Sequence, residues 1–164
     1  MVRTTSADAA GSDAEAGTAF RWPVRIYFED TDAGGVVYYA NYLKFFERCR
    51  TEWLRALGID QSTLARERGV QFVVAGIEAK YLRPARLDDE LAIEARVVHL
   101  GGCSIVFEQL ALRAGELLAR AQVKVACVDL PRRMPARLPP SLREKIPHPR
   151  PESGAGPKIS STPI

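Results

Sequence analysis

Histidine and cysteine are both scarce in this sequence. The two histidines, His99 and His148, lie far apart, and no two of the three cysteines (Cys49, Cys103 and Cys127) have the short spacing of a zinc-binding pair. A multi-histidine metal site is therefore excluded, and histidine-assisted serine catalysis has few candidates. Three widely spaced cysteines do not indicate a disulfide framework, so we interpret all three as reduced, mostly buried thiols in a cytoplasmic protein.

Long apolar runs and a strong charge excess are also missing. No apolar run approaches the roughly 18 residues that a membrane span requires. The net charge of +3 over 164 residues is too small to indicate nucleic-acid binding. Residues 1–19 lack the apolar core of a signal peptide and predict a disordered leader. Residues 131–164 are rich in Pro and Arg and predict a tail that is ordered only near the body, which leaves one domain at residues 20–130.

One long helix is the clearest predicted element. A single apolar stripe recurs at the helical period, with charged residues that include Arg50 on the remaining face. The stripe consists of Tyr42, Phe45, Phe46, Cys49, Trp53 and Leu57. Gly58 is a natural end for this helix, and Asp60 or Ser62 is predicted to cap a second, short helix that ends near Gly69.

The other periodic segments alternate at period two and predict five strands, at residues 20–28, 70–81, 90–100, 104–113 and 116–129. Pro23 indicates an irregular or edge position in the first strand. His99 falls on the apolar face of its strand, which favours a structural or interface role. The pattern predicts an α+β fold in which a five-stranded antiparallel sheet wraps around one long helix. Because such a sheet has exposed edges, we expect at least a dimer.

A polar loop, EDTDAGG at residues 29–35, connects the first strand to the long helix. Unpaired N–H groups at a helix start can bind a negative oxygen, and a nearby carboxylate such as Asp32 could activate water or attack a carbonyl. Gly34 and Gly35 would let the backbone approach a ligand closely. Asp before Gly is also ordinary turn chemistry, so the loop composition alone leaves both interpretations open.

A longer motif surrounds this loop at residues 25–60, RIYFEDTDAGGVVYYANYLKFFERCRTEWLRALGID, followed by EAKYLRPARLDDEL at residues 78–91. These segments resemble the hydroxybenzoyl-CoA thioesterase family, most closely its branch of Tol–Pal-associated acyl-CoA thioesterases. The resemblance implies a hot-dog fold, hydrolysis of an acyl-CoA thioester without a metal or other cofactor, and a site between the subunits of a homodimer or homotetramer. An acyl carrier protein is a further candidate partner.

The resemblance also implies roles for individual residues. Asp32 matches the catalytic aspartate, which acts as nucleophile or general base. Tyr39 matches the position whose backbone N–H helps to form an oxyanion hole. The Tol–Pal branch usually has histidine there, but the backbone role needs no particular side chain. Gly35 and Val36 of the same loop are expected to contact the substrate.

Arginines flank the predicted strand ends, at positions 83, 86, 132, 133 and 137. Arginine suits phosphate recognition, and CoA carries phosphates. We therefore predict that Arg83, Arg132 and Arg133 bind the substrate, with a solvated basic rim as the alternative for each. Two other functions remain open at this stage. One is a hydratase or dehydratase on the same fold, and the other is a non-catalytic acyl-carrier or cell-envelope partner.

Overall fold

The computed structural model describes residues 19–147 and 149. Most of the predicted leader, His148 and the sequence after residue 149 lie outside the described residues. The main elements are β1 (Phe20–Arg25), α1 (Asn41–Ala56), α2 (Gln61–Arg68), β2 (Val70–Tyr81), β3 (Glu90–Leu100), β4 (Ser104–Arg113), β5 (Glu116–Asp129), β6 (Met134–Pro135) and α3 (Pro140–Arg143). No helix in this described part is long and apolar enough to span a membrane.

The strands form one antiparallel sheet in the order β1-β3-β4-β5-β2, and the two-residue β6 pairs with β5. The four strands from β2 to β5 have the predicted bounds. The first strand is shorter than predicted, because the chain leaves β1 at Arg25 and makes a 3₁₀ turn at Phe28–Asp30. This early end creates the loop between β1 and α1.

Helix α1 supplies the centre of the core. Phe45, Phe46 and Cys49 are fully buried, and the Trp53 ring packs edge-on against Phe107 with ring centroids 5.1 Å apart. The predicted stripe is therefore confirmed as the buried face. The placement of Arg50 on the solvated face was wrong, because this residue is buried and hydrogen-bonds the opposing strand.

A β-bulge changes the predicted position of His99. Strand β3 pairs regularly with β4 as far as Val97, and the register then shifts between Val97 and His99. One extra residue moves the following side chains to the other face. His99 is consequently exposed and does not join the apolar face.

Helix α2 has the predicted boundaries and a defined cap at each end. The Thr63 backbone N–H donates to the Asp60 carboxylate at 2.6 Å, so Asp60 and not Ser62 is the N-cap. This hydrogen bond lowers the pKa of Asp60. Gly69 ends the helix in the left-handed region, with φ of 67°.

The packed part of the chain extends beyond the boundary predicted at residue 130. Leu138, Leu142 and Ile146 are buried in the same core as α1. Backbone and side-chain bonds fix this segment to the β3–β4 turn: the Leu138 N–H donates to the Gly102 carbonyl at 2.9 Å, and Arg143 Nη1 donates to the Gly101 carbonyl at 2.7 Å. Three well-spaced apolar side chains are enough to anchor a segment that is otherwise rich in Pro and Arg.

We therefore expect Leu142→Ala to destabilise the protein by about 2–5 kcal/mol, because it leaves a cavity in the core. The exposed neighbour Glu144 is the matched control, and Glu144→Ala should change the free energy of unfolding by less than about 0.5 kcal/mol. Urea titration followed by circular dichroism measures both. Equal stability of the two variants would show that residues 138–146 do not belong to the core.

Candidate active site

Asp30 organises the loop that precedes α1. Its carboxylate accepts a hydrogen bond from the Tyr27 N–H at 2.9 Å, and its carbonyl accepts from the Tyr38 N–H and from Asn41 Nδ2, both at 2.9 Å. Asn41 is the first residue of α1 and is buried. These bonds connect the loop directly to the helix start, so Asp30 has a structural role in the loop.

Asp32 lies at the tip of the same loop and is exposed. Its Oδ1 accepts from the Gly34 N–H at 2.8 Å, and its backbone N–H donates to the Val36 carbonyl at 2.9 Å. Its Oδ2 accepts no hydrogen bond within the part of the chain that the structure describes. One oxygen thus takes part in turn geometry, as the turn interpretation predicts, and the other oxygen stays open.

Both loop glycines are required by this geometry. Gly35 has φ of +75°, which L side chains rarely adopt. A Cβ atom at Gly34 would lie 3.1 Å from Asp32 Oδ1, so even alanine would push on the carboxylate. The predicted contact residues Gly35 and Val36 therefore surround Asp32, and the N–H of Val36 lies 3.5 Å from Oδ1.

The start of α1 presents unpaired backbone donors. Among the described residues, the N–H groups of Tyr39 and Ala40 donate no hydrogen bond, and no side chain caps the helix. The Thr31–Val37 bridge closes the turn that contains Asp32, and Tyr39 lies two residues beyond this bridge, towards α1. An open carboxylate oxygen and two free N–H groups are the components that acyl transfer requires.

A cluster of tyrosines borders these donors. The Tyr39 ring contacts Tyr38 at 4.9 Å and Tyr81 at 6.0 Å, measured between ring centroids, and Tyr81 also contacts Tyr42 at 5.5 Å. Tyr42 is buried, and burial raises the pKa of its phenol. Sequence analysis missed Tyr81, because its position at the end of β2 carries no signal beyond the alternation of the strand.

The connection between β2 and β3 is hydrogen-bonded to the loop that contains Asp32. The Val37 N–H donates to the Ala85 carbonyl at 2.8 Å, and Asp89 accepts from the Arg86 N–H at 2.8 Å and from Arg113 Nη1 at 2.7 Å. Burial would raise the pKa of Asp89, but the two hydrogen bonds lower it overall. Arg86 therefore contributes through its backbone to the local fold.

The three predicted substrate-binding arginines are not brought together in one subunit. Arg83 follows β2, near the site, and Arg83 Nε lies 3.1 Å from Glu116 Oε1. Arg132 and Arg133 follow β5 at the opposite end, because β2 and β5 run antiparallel. The length of β2, roughly 3.3 Å for each of its 12 residues, separates the two positions.

Other reactive groups do not form a competing centre. No cluster of three or more His, Cys, Asp or Glu side chains within the described residues could hold a metal ion. Burial raises the pKa of the Cys49 thiol to about 12 and that of Cys127 to about 11, so neither is an activated nucleophile.

Comparisons with known proteins identify relatives of this chain. The family model of the thioesterase-like superfamily matches residues 26–146. An acyl-CoA thioesterase YbgC of Haemophilus influenzae is 48% identical over 129 residues, which are 79% of this chain and 95% of that relative. An acyl-CoA thioester hydrolase YbgC of Escherichia coli O6:H1 is 50% identical over 126 residues, which are 76% and 93% of the two chains.

Solved structures show the same fold. A probable thioesterase from Bartonella henselae has 38% identity and a TM-score of 0.71, and the match covers 74% of this chain and all of that one. A thioesterase from Thermus thermophilus, solved with coenzyme A and zinc, has 32% identity and a TM-score of 0.66, with 77% and 90% coverage. These relatives favour hydrolysis over the hydratase and non-catalytic alternatives. The chain therefore belongs to the thioesterase-like superfamily and is a thioester hydrolase.

Proposed function

We propose that this chain hydrolyses acyl-CoA thioesters to the free acid and CoA, with Asp32 as the catalytic carboxylate. The observation that carries the proposal is the open Oδ2 of Asp32 in the same loop as the unpaired N–H groups of Tyr39 and Ala40. The names of the YbgC relatives support acyl-CoA as the substrate class. A thioester is already activated, so a carboxylate, an oxyanion site and water are sufficient for the reaction.

The loop offers a separate group for each step. Asp32 would attack the thioester carbonyl as a nucleophile or remove a proton from the attacking water. Negative charge then develops on the carbonyl oxygen, where the Tyr39 and Ala40 N–H groups at the positive end of α1 would stabilise it. The hydrogen bond from the Gly34 N–H to Oδ1 holds the carboxylate in place. Less conformational entropy is therefore lost when the transition state forms.

We further propose that the enzyme is cytoplasmic and belongs to the Tol–Pal-associated branch of the hydroxybenzoyl-CoA thioesterase family. The motif DTDAGGVVYYANY and the YbgC relatives support this assignment. Tyr39 stands where the branch usually has histidine. Because the proposed contribution of this position comes from its backbone N–H, the mechanism tolerates the difference. An acyl carrier protein stays a candidate partner.

We propose that the active unit is a homodimer, or a tetramer built from such dimers, in which two β2 edges pair across a two-fold axis. The two sheet edges differ: β1 has six residues and contains Pro23, whereas β2 has 12 residues and exposes Val73, Val74 and Ile77. A long apolar edge strand is a template for pairing with another chain.

Such pairing would complete the binding site for the CoA phosphates. Two antiparallel β2 strands place the end of one strand beside the start of the other. Arg83 of one subunit would therefore face Arg132 and Arg133 of the partner subunit, which adjoin the start of that partner's β2 through β5. Asp32 lies at the Arg83 end, so each complete site would combine one carboxylate with arginines from both subunits.

The first prediction concerns Asp32. We expect Asp32→Asn to fold normally and to lose about 100- to 10,000-fold in kcat, because the amide cannot attack a carbonyl or accept the proton. Glu29→Gln, at an exposed carboxylate in the same loop, is the matched control and should keep wild-type activity. Asp30→Asn should have an intermediate effect through the loop. Steady-state hydrolysis of an acyl-CoA panel measures all three, and near-wild-type turnover of Asp32→Asn would remove this residue from the mechanism.

The second prediction separates the backbone of Tyr39 from its side chain. Tyr39→Phe removes only a hydroxyl and should cost about 1 kcal/mol in activation free energy. Tyr39→Pro removes the N–H itself at a residue that precedes the N-cap Ala40, and should reduce the rate about 100- to 1,000-fold. Circular dichroism confirms that both variants fold. A Tyr39→Phe variant as inactive as Asp32→Asn would instead assign the chemistry to the phenol.

A further inference from the structure

A tyrosine contact at the candidate active site and a cavity deeper in the protein lie at two points along α1 and β2. The helix and the strand are antiparallel neighbours: Tyr42 at the start of α1 contacts Tyr81 at the end of β2, and the later residues Arg50 and Leu54 line a cavity together with Phe72. We call the space between these two ends the α1–β2 groove. It begins where the Tyr39 and Tyr81 rings meet.

Exposed apolar side chains on both elements lie between these two ends. Leu43 on α1 is 38% exposed, and Ile77 and Val74 on β2 are 42% and 51% exposed. Ile77 pairs with the buried Val123, and Val74 pairs with the buried Val125, so both side chains lie on the helix side of the sheet. An extended hydrocarbon chain would cover this surface and remove it from water.

The far end of the groove is a cavity of about 100 Å³, several times the space that one water molecule needs. Most of its lining is aliphatic or aromatic, and the polar exceptions are Glu47, Arg50, Thr51 and Gln61. The apolar lining consists of Trp53, Leu54, Phe72, Val74, Ile105, Phe107 and Val125.

Arg50 is the unusual member of this lining. Its side chain is buried, with 9% exposure, and its Nη1 donates to Gln109 Oε1 at 2.6 Å. Gln109 is fully buried and donates through Nε2 to the Phe46 carbonyl at 2.9 Å, which fixes its oxygen toward Arg50. The guanidinium therefore meets a neutral amide, and no carboxylate among the described residues forms an ion pair with it.

Two donor atoms of Arg50 are left without a protein acceptor among the residues that the structure describes. Every fully buried side-chain nitrogen or oxygen in the described part of the chain has a hydrogen-bond partner. Nε and Nη2 of Arg50 have no acceptor among these same residues and therefore keep some accessible surface, and Arg50 lines the cavity. A buried cation whose hydrogen-bond partner is a neutral amide favours the arrival of an anion.

Glu47 is the other charged group on this lining, one helical turn before Arg50. Glu47 is exposed, and its Oε1 accepts a hydrogen bond from the Thr51 hydroxyl at 2.7 Å. Burial lowers the pKa of Arg50 and the charge of Glu47 opposes that shift, but arginine keeps its charge at any physiological pH. Glu47 thus lies beside the path along the groove, and Arg50 lies at its end.

We infer that the α1–β2 groove receives the acyl group of the thioester and that Arg50 selects acyl groups which end in a carboxylate. This inference depends on the proposed hydrolysis of acyl-CoA. The thioester carbonyl would sit at the start of α1, the methylene chain would lie on Leu43, Ile77 and Val74, and the terminal carboxylate would pair with the guanidinium. Nine helical residues, roughly 13 Å at 1.5 Å each, separate Asn41 from Arg50, so the class is the dicarboxylyl-CoA thioesters of medium length.

The experiment compares three matched pairs of substrates: adipyl-CoA with hexanoyl-CoA, suberyl-CoA with octanoyl-CoA, and sebacyl-CoA with decanoyl-CoA. Within a pair only the terminal carboxylate differs. For the length that fits, we expect wild-type kcat/KM to be about tenfold or more higher for the dicarboxylyl member, the ratio that one hydrogen bond to a charged group provides.

Arg50→Met keeps an unbranched stem but removes the charge, and it should reduce that ratio to about one or below while the monocarboxylyl substrates are still hydrolysed. Arg48→Met, at an exposed arginine two residues earlier on α1, is the control and should keep the wild-type ratio. A preference that survives in Arg50→Met would overturn the role of Arg50.

If Arg50→Met fails to fold, the wild-type ratios alone decide whether the enzyme selects acyl groups that end in a carboxylate. Ratios of one or less in all three pairs would overturn the selectivity and leave the proposed acyl-CoA hydrolysis intact. Failure to hydrolyse any of the six thioesters would overturn both the selectivity and the proposed function.

Discussion

The burial of one apolar helix face constrains the rest of this structure. Phe45, Phe46 and Cys49 must leave water, and the antiparallel sheet curls around α1 to cover them. A helix held in this position has its first turn at the edge of the sheet, next to the loop that contains Asp32. The same arrangement leaves the helix side of β2 partly open, because one helix is too narrow to cover a sheet of this width. The site, the groove and the expected subunit contact all follow from this geometry.

Periodicity predicted most of the fold, since a buried face imposes regular spacing on both helices and strands. The predictions from periodicity were wrong where the spacing is interrupted or where a polar group is buried. A bulge before His99 turns its side chain outward, and no residue type announced it. Arg50 was predicted to lie on the charged face of α1 because its side chain is charged, although its position in the helix is next to the buried face. The segment around Leu142 was taken for a tail because Pro and Arg dominate its composition.

The candidate site was predictable in its loop but not in its full extent. The motif around Asp32 singled out the carboxylate and the helix start, and the hydrogen bonds of the loop show that one carboxylate oxygen can serve the turn while the other stays open. Tyr81 and the groove depend on which strand lies beside α1, which sequence spacing does not specify. The arginines illustrate the same limit: Arg83 and Arg132 both flank strand ends, but only the strand order shows that they lie at opposite ends of one subunit.

The central claim is that a complete site combines Asp32 of one subunit with Arg132 and Arg133 of the partner subunit, and mixed dimers test it most directly. Asp32→Asn subunits are co-assembled with subunits that carry Arg132→Gln and Arg133→Gln, and hydrolysis is measured below KM. The account predicts that the mixed dimer regains about half of the wild-type rate, because one of its two sites contains every wild-type group. A mixed dimer no more active than half of the double-arginine variant would show that each site lies within one subunit, and would contradict the account.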